Sequence, residues 1–154
     1  MKKKLKMILL ALVLCATSLF TVDMKASAEE TGEDVAFESL MTDDALIGNM
    51  QSQTWGVYLS AGRSIINDAG GGKIGAGGST TAASKCKVSV NVVVERKVGS
   101  SWVRVTSWTA TNTNALVVST GKTISVASGY YYRVRCTHYA STDVSSSCTS
   151  SLWM

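Results

Sequence analysis

The stretch CKVSVNVVVERKVGSSWVRVTSW, residues 86–108, decides the fold of this chain. It opens with apolar side chains at every second position, Cys86, Val88, Val90, Val92 and Val94, and the polar Lys87, Ser89 and Asn91 lie between the first of them. A period of two over this length predicts a β-strand with one buried face. Residues 97–101 (KVGSS) are typical of a turn. We therefore expect the residues from Trp102 onward to return as the second arm of a hairpin.

The same pattern continues to the end of the chain. Further β-rich segments cover residues 115–118, 122–126, 130–139 and 144–153, with turn signals between them. We count about seven strands at the spacing of a sandwich, and no convincing helix after residue 50. The sequence therefore predicts an all-β fold over residues 51–154. We expect a single antiparallel β-sandwich of immunoglobulin- or fibronectin-like architecture.

A glycine-rich stretch, DAGGGKIGAGGSTTA, occupies residues 68–82. Gly70, Gly72 and Gly75 have the spacing of a dinucleotide-binding fingerprint, but that motif needs a helix directly after it. Here Ser79, Thr80 and Thr81 follow without a helical pattern. We therefore expect no cofactor, and we interpret the stretch as a loop and a glycine-rich edge strand.

Residues 1–28 have the three parts of a secretory signal peptide. Four lysines stand in the first six residues, an apolar run covers residues 7–22, and Ala26-Ser27-Ala28 forms a cleavage site. We expect secretion, with no stable membrane anchor after cleavage and with cell-surface association as a further option. An apolar run of this length is short for a membrane span.

The chain has a formal net charge of +4, but the charges are unevenly placed. Of its 15 basic and 11 acidic residues, five and one lie in residues 1–28, which leaves ten of each. Residues 29–44 hold seven acidic residues and no basic one. We expect residues 29–50 to form an acidic extension, disordered or weakly helical. It is either a solvated tail or a pro-segment that lies on the basic domain by long-range attraction.

Three stretches carry a resemblance: GGGKIGAGGSTTA (70–82), VVVERKVGSSWVRVTSW (92–108) and GYYYRVRCTHYA (129–140). Together they resemble an uncharacterised family of small secreted proteins from Gram-positive bacteria, a domain of unknown function. The similarity covers roughly residues 55–154. It implies a signal peptide and an all-β domain, and it supplies no catalytic residues.

Three cysteines remain beyond the predicted leader, in an oxidising compartment where one disulfide and one odd thiol are expected. Cys86 and Cys136 lie on the core parity of their strands, so they are one candidate pair. Cys136 and Cys148 are the rival pair, since a hairpin centred on Thr142 places them opposite each other. The remaining thiol is either buried and inert or joins two chains.

The side chains needed for catalysis or metal binding are scarce. His138 is the only histidine, and the folded part has three acidic residues: Asp68, Glu95 and Asp143. That is too few for a convincing pair of catalytic carboxylates, and Cys136-x-His138 lacks a second pair of metal ligands. We expect no enzyme, no metal site and a structural His138.

Aromatic and basic residues supply the candidate ligand-binding site. Trp102, Arg104 and Trp108 share one parity of their strand, while Tyr131, Arg133 and Arg135 share one face of another. Aromatic rings beside arginine and threonine suit sugar stacking and anion pairing. The alternative is that the two tryptophans fill the core. The basic residues are spread over several strands, so we expect no nucleic acid partner.

Two functions remain open on these observations. The first is a secreted non-catalytic binding or adhesion module for glycan, cell wall or a protein partner, which uses the residues just named. The alternative is a secreted bacteriocin-like effector that is masked by the acidic segment 29–44. The sequence leaves the oligomeric state open.

Overall fold

The computed structural model describes residues 32–51 and 56–154, so the predicted leader lies outside the described residues. Within these ranges the chain is all-β, as predicted, and forms one antiparallel sheet of eight strands. The strands are β1 (Glu33–Val35), β2 (Leu46–Asn49), β3 (Leu59–Gly70), β4 (Lys73–Val98), β5 (Ser101–Ser125), β6 (Tyr131–Ala140), β7 (Asp143–Cys148) and β8 (Leu152–Trp153). None of the helical structure in this part of the chain is long and apolar enough to cross a membrane.

Two very long strands, β4 and β5, run through the whole sheet. The start of β4, residues 73–82, pairs with β3 on one side and with the end of β5 on the other. The end of β4, residues 86–98, pairs with the start of β5 and with β6. An irregularity in the β4–β5 register between Thr81 and Cys86 separates these two parts. We call the first part, with β1, β2 and β3, the glycine half, and the second, with β6, β7 and β8, the valine half.

The two halves share one core. Val88, Val90, Val92 and Val94 are fully buried, which confirms the predicted alternation. They belong to one apolar cluster with Ile66, Ile74 and Ala76 of the glycine half and with Val134 and Cys136 of β6. The contact is close, because a Cβ added to Gly78 would lie 2.6 Å from Cys136 Sγ.

The glycine-rich stretch is central rather than at an edge, so that expectation was wrong. Residues 73–82 lie between β3 and β5, and the loop is limited to Gly71 and Gly72. The reason is close packing on both faces. Gly78 faces the core and lets Cys136 approach its backbone closely. Gly77 faces the opposite way, where a Cβ would lie 2.8 Å from Leu40 Cδ1.

The described part of the acidic extension, residues 32–50, folds onto this opposite face, where the sequence predicts disorder or a weak helix. β1 pairs with β5, β2 pairs with β3, and a short 3-10 helix (Phe37–Leu40) lies between them. Phe37 and Leu40 are buried against Ile65 and against the backbone of Gly75, Gly77 and Gly121, which we call the glycine floor. One ion pair, Lys122 Nζ to Asp34 Oδ1 at 3.0 Å, adds to this contact. Apolar burial and strand pairing therefore hold the segment, more than long-range charge attraction does.

Candidate functional site

The outer face of the valine half carries most of the residues that the sequence nominates. In the register of the sheet, Trp102 lies beside Lys97 and Arg104 beside Glu95, and Arg133 flanks Glu95 on the other side. Alternation along β6 puts Tyr131, Arg133 and Arg135 on this face, because Tyr132, Val134 and Cys136 are buried. We call this surface the aromatic–arginine face. Its residues are Glu95, Lys97, Trp102, Arg104, Tyr131, Arg133, Arg135 and Trp153.

Trp108 does not belong to this face, although its sequence parity matches Trp102. A register shift between Val94 and Glu95 inserts one extra residue into β5, since Arg104 pairs with Glu95 and Thr106 with Val94. A β-bulge of this kind reverses which residues face inward. Trp108 is partly buried against the core, and its indole N–H donates to Thr120 Oγ1 at 3.1 Å. Trp102 therefore lies on the outer face, as the binding-site prediction has it, whereas Trp108 packs on the core, as the alternative has it.

A buried carboxylate organises the arginines. Arg133 Nε donates to Glu95 Oε2, and Arg135 Nη2 donates to Glu95 Oε1, both at 2.7 Å. The Glu95 side chain is only 7% exposed, whereas that of Arg135 is 53% exposed. Charge-assisted bonds of this length fix the guanidinium planes. The pairing leaves one surplus positive charge among the three residues and about half of the Arg135 side chain exposed to solvent.

Three aromatic rings line the same face. The guanidinium of Arg133 lies 4.2 Å from the centre of the Trp102 ring, a cation–π contact. Tyr131 and Trp153 meet edge to face with centroids 4.8 Å apart, and they are 44% and 57% exposed. Sequence reasoning missed Trp153 and the role of Glu95. The pairing of Tyr131 with Trp153 across β6 and β8 depends on how the chain end returns, which no local signal specifies.

His138 lies in the interior, on the inward face of β6, and is fully buried. Its Nδ1 is 2.8 Å from Thr80 Oγ1, and its Nε2 is 2.8 Å from Ser147 Oγ. Thr80 donates its single hydroxyl proton to the Ser89 carbonyl, so the bonding pattern assigns the proton to Nδ1 and leaves Nε2 to accept. Burial lowers the pKa of His138 from 6.5 to about 4. A neutral, inaccessible imidazole without a carboxylate partner supports the structural role.

The expected disulfide is not formed, because Cys86, Cys136 and Cys148 are all free thiols. Cys136 pairs with Val92 on β4, six residues beyond Cys86, and at 3.3 Å per residue that is about 20 Å along the strand. A disulfide needs Cα atoms within about 7 Å. Cys136 and Cys148 fail for another reason. The β6–β7 register pairs Cys136 with Ser147, so Cys148 points to the opposite face.

Other polar groups serve the fold. Asp143 Oδ2 accepts the backbone N–H of Tyr58 at 2.6 Å and of Leu59 at 3.0 Å. These two bonds, with that to Leu59 the stronger cause, hold the pKa of the Asp143 carboxyl below its usual value. Among the described residues, no three His, Cys, Asp or Glu side chains cluster closely enough to hold a metal ion.

No protein-family model, curated protein or solved structure matches this chain. We therefore infer the function from the geometry of the aromatic–arginine face and from the charges around it.

Proposed function

We propose that this protein is a secreted, non-catalytic binding or adhesion module, and that the aromatic–arginine face is its contact surface. The observation that carries the proposal is the buried Glu95 carboxylate held between Arg133 and Arg135. A buried ion pair is costly to desolvate and adds little to stability on its own. Its presence under an open face therefore favours a role in presenting the arginines to a ligand.

The exposed aromatic residues support the same function. Large exposed rings beside polar and charged groups are typical of surfaces that bind sugars or proteins. Tyr131 and Trp153 form such a platform, and Arg135 and Arg104 lie within the same face. We infer that the ligand is a glycan, a cell-wall component or a protein partner.

Two further parts of the proposal have indirect support. A non-catalytic role is favoured because the only histidine is buried between two hydroxyl groups. A β-sandwich is favoured because the glycine and valine halves pack on one core. An immunoglobulin-like sandwich has two separate sheets, whereas here β4 and β5 continue through both halves.

The alternative of a masked effector has less support. A mask should cover the surface that acts on the target. The acidic segment instead covers the glycine floor through Phe37 and Leu40, on the outer face of the other half. Cleavage near residue 45 would therefore uncover glycines rather than the aromatic–arginine face.

A pull-down on washed cell wall and on insoluble polysaccharides tests the proposal. The protein used is residues 29–154, which contain every described residue. We expect the wild type to be retained and the Arg104→Gln/Trp153→Ala variant to be lost to the wash. The Lys73→Gln variant removes an exposed charge from the glycine half and should behave like the wild type. Equal retention of all three proteins, or of none, would contradict the proposed function.

A further inference from the structure

We propose that the ligand of the aromatic–arginine face is an acidic glycan, a sugar polymer whose rings carry carboxylate or phosphate groups. The inference rests on the proposed function and names the ligand class for that same surface. Two observations carry it. The aromatic and the basic residues form adjacent rows across the strands, and the acidic residues of the valine half are already engaged within the protein.

The rows follow from the strand register. Trp102 lies opposite Lys97, and Tyr131 lies opposite Trp153, which gives an aromatic row at one end of the face. Two residues further along the strands, Arg104, Glu95 and Arg133 form a second row across β5, β4 and β6. Two residues of a strand span about 6.6 Å. A ligand that stacks a sugar ring on the first row can therefore place an anionic substituent on the second.

Among the described residues, the four cations of the face (Lys97, Arg104, Arg133 and Arg135) share a single carboxylate partner, Glu95. Lys97 and Arg104 are exposed, and Arg135 keeps about half of its side chain in solvent. The valine half contains two acidic residues, Glu95 and Asp143. Glu95 is bound to two arginines, and Asp143 accepts two backbone N–H groups. A neutral glycan would leave the surplus positive charge of Lys97, Arg104 and the Glu95-bound arginines unbalanced, whereas carboxylates or phosphates would pair with it.

A second copy of this chain is the rival polyanion. Its acidic segment exposes Glu33, Asp34, Glu38, Asp43 and Asp44. The described part of that segment exposes no ring that could stack on Tyr131 and Trp153, because Phe37 is buried, so the paired rows favour the glycan. Head-to-tail association is therefore an outcome that the test must detect.

The test measures binding of residues 29–154 to soluble probes by calorimetry. The probes are polygalacturonate as a carboxylate polymer, phosphomannan as a phosphate polymer, dextran as a neutral polymer and polyglutamate as a polyanion without sugar. We expect at least one acidic polysaccharide to bind at least tenfold more tightly than dextran and polyglutamate. Binding should weaken severalfold between 50 and 500 mM salt, because exposed charges are screened over about a Debye length.

Matched variants assign the binding to the face. Arg104→Gln should weaken binding roughly three- to fivefold, the range expected for one exposed ion pair, and Lys73→Gln should leave it unchanged. Trp153→Ala should weaken binding to the acidic polysaccharide and reduce its preference over polyglutamate. Far-UV circular dichroism and the unfolding midpoint show whether each variant folds.

Each remaining result overturns the inference. If dextran binds as tightly as the acidic polysaccharides, without salt dependence, the proposed function stands but the ligand is not an acidic glycan. Equal binding of polyglutamate, or equal losses for Arg104→Gln and Lys73→Gln, would indicate general charge attraction. Sedimentation that shows concentration-dependent assembly weakened by Arg104→Gln would favour a second copy. Failure with every probe, together with failure on cell wall, would reject both the inference and the proposed function.

Discussion

The glycine half and the valine half belong to one sheet, but the outer face of the first is covered and the outer face of the second is exposed. The outer face of the glycine half lies under the 3-10 helix, whose Phe37 and Leu40 approach glycine backbone directly. The outer face of the valine half stays open and carries tryptophan, tyrosine and arginine. The comparison teaches that glycine here serves close packing, while the residues with long side chains are kept for the surface that is free to bind.

The largest expected effect comes from adding a side chain under the cover of the glycine half. In Gly77→Val, the Cβ alone would lie 2.6 Å from the Thr120 carbonyl oxygen and 2.8 Å from Leu40 Cδ1. Overpacking of this kind costs about 3 kcal/mol, and urea denaturation would measure the loss. Ser107→Val also introduces a valine, at an exposed position on the outer face of the valine half, and should change stability by about 0.5 kcal/mol or less. Equal costs would break the comparison between the halves.

His138 links the two halves, and its titration should appear as a pH dependence of stability. Its folded pKa of about 4 lies below the unfolded value of 6.5. The neutral form is therefore favoured by folding, so this stability is fully present above pH 6.5 and is lost as the pH falls toward 4. The difference corresponds to about 3 kcal/mol at most. Denaturation of wild type and His138→Gln from pH 7.5 to 4 should show a steeper fall in the wild type, and parallel curves would disprove the effect.

Glu95 should matter more for the open face than for the fold. Glu95→Gln removes the negative charge and one of the two oxygens that accept from Arg133 and Arg135, which are partly exposed and can be hydrated instead. We expect a loss of about 1 kcal/mol in the free energy of unfolding and a larger relative loss of retention on the ligand. Asp34→Asn, which removes a single ion-pair partner at the covered face, is the control for charge. A purely structural Glu95 would lower stability and leave retention of the folded protein unchanged.

The smallest expected effect concerns Asp143, which ties the start of β3 to the β6–β7 turn. Its carboxyl pKa is lowered by the two backbone N–H groups, so its contribution is present at neutral pH and is lost on acidification. Asp143→Asn should lower the thermal midpoint slightly at pH 7 and by less at pH 3. An equal shift at both pH values would show that the charge is not involved.

Local patterns in the sequence predict the strands of the valine half well. The alternation at Val88–Val94 and at Tyr132–Cys136 reflects the burial of one face, and both were confirmed. The same alternation predicts which candidate site residues share a face. Five of the six do so, and Trp108 is the exception. Trp108 was misplaced because a bulge opposite Val94 and Glu95 depends on pairing between strands.

The glycine half was harder to predict, for physical reasons. Glycine has no side chain, so a face built from Gly75, Gly77 and Gly121 gives no hydrophobic period even though it is buried. β1 and β2 are only three and four residues long, and their long-range partners Thr123 and Ile65 make them strands. β5 also continues through residues 111–114, whose composition suggests a break, and Asn114 has a positive φ there.

The presence of β4 and β5 in both halves has a consequence for how the protein folds. Val98 pairs with Ser101 across a two-residue turn that begins with Gly99 at positive φ. Pairing can therefore start at this turn and extend residue by residue along both arms, closing only short loops at each step. Neither half can lose this hairpin without disrupting the other. We expect folding kinetics with a single phase, and a Gly99→Val variant that folds more slowly because the turn forms less readily.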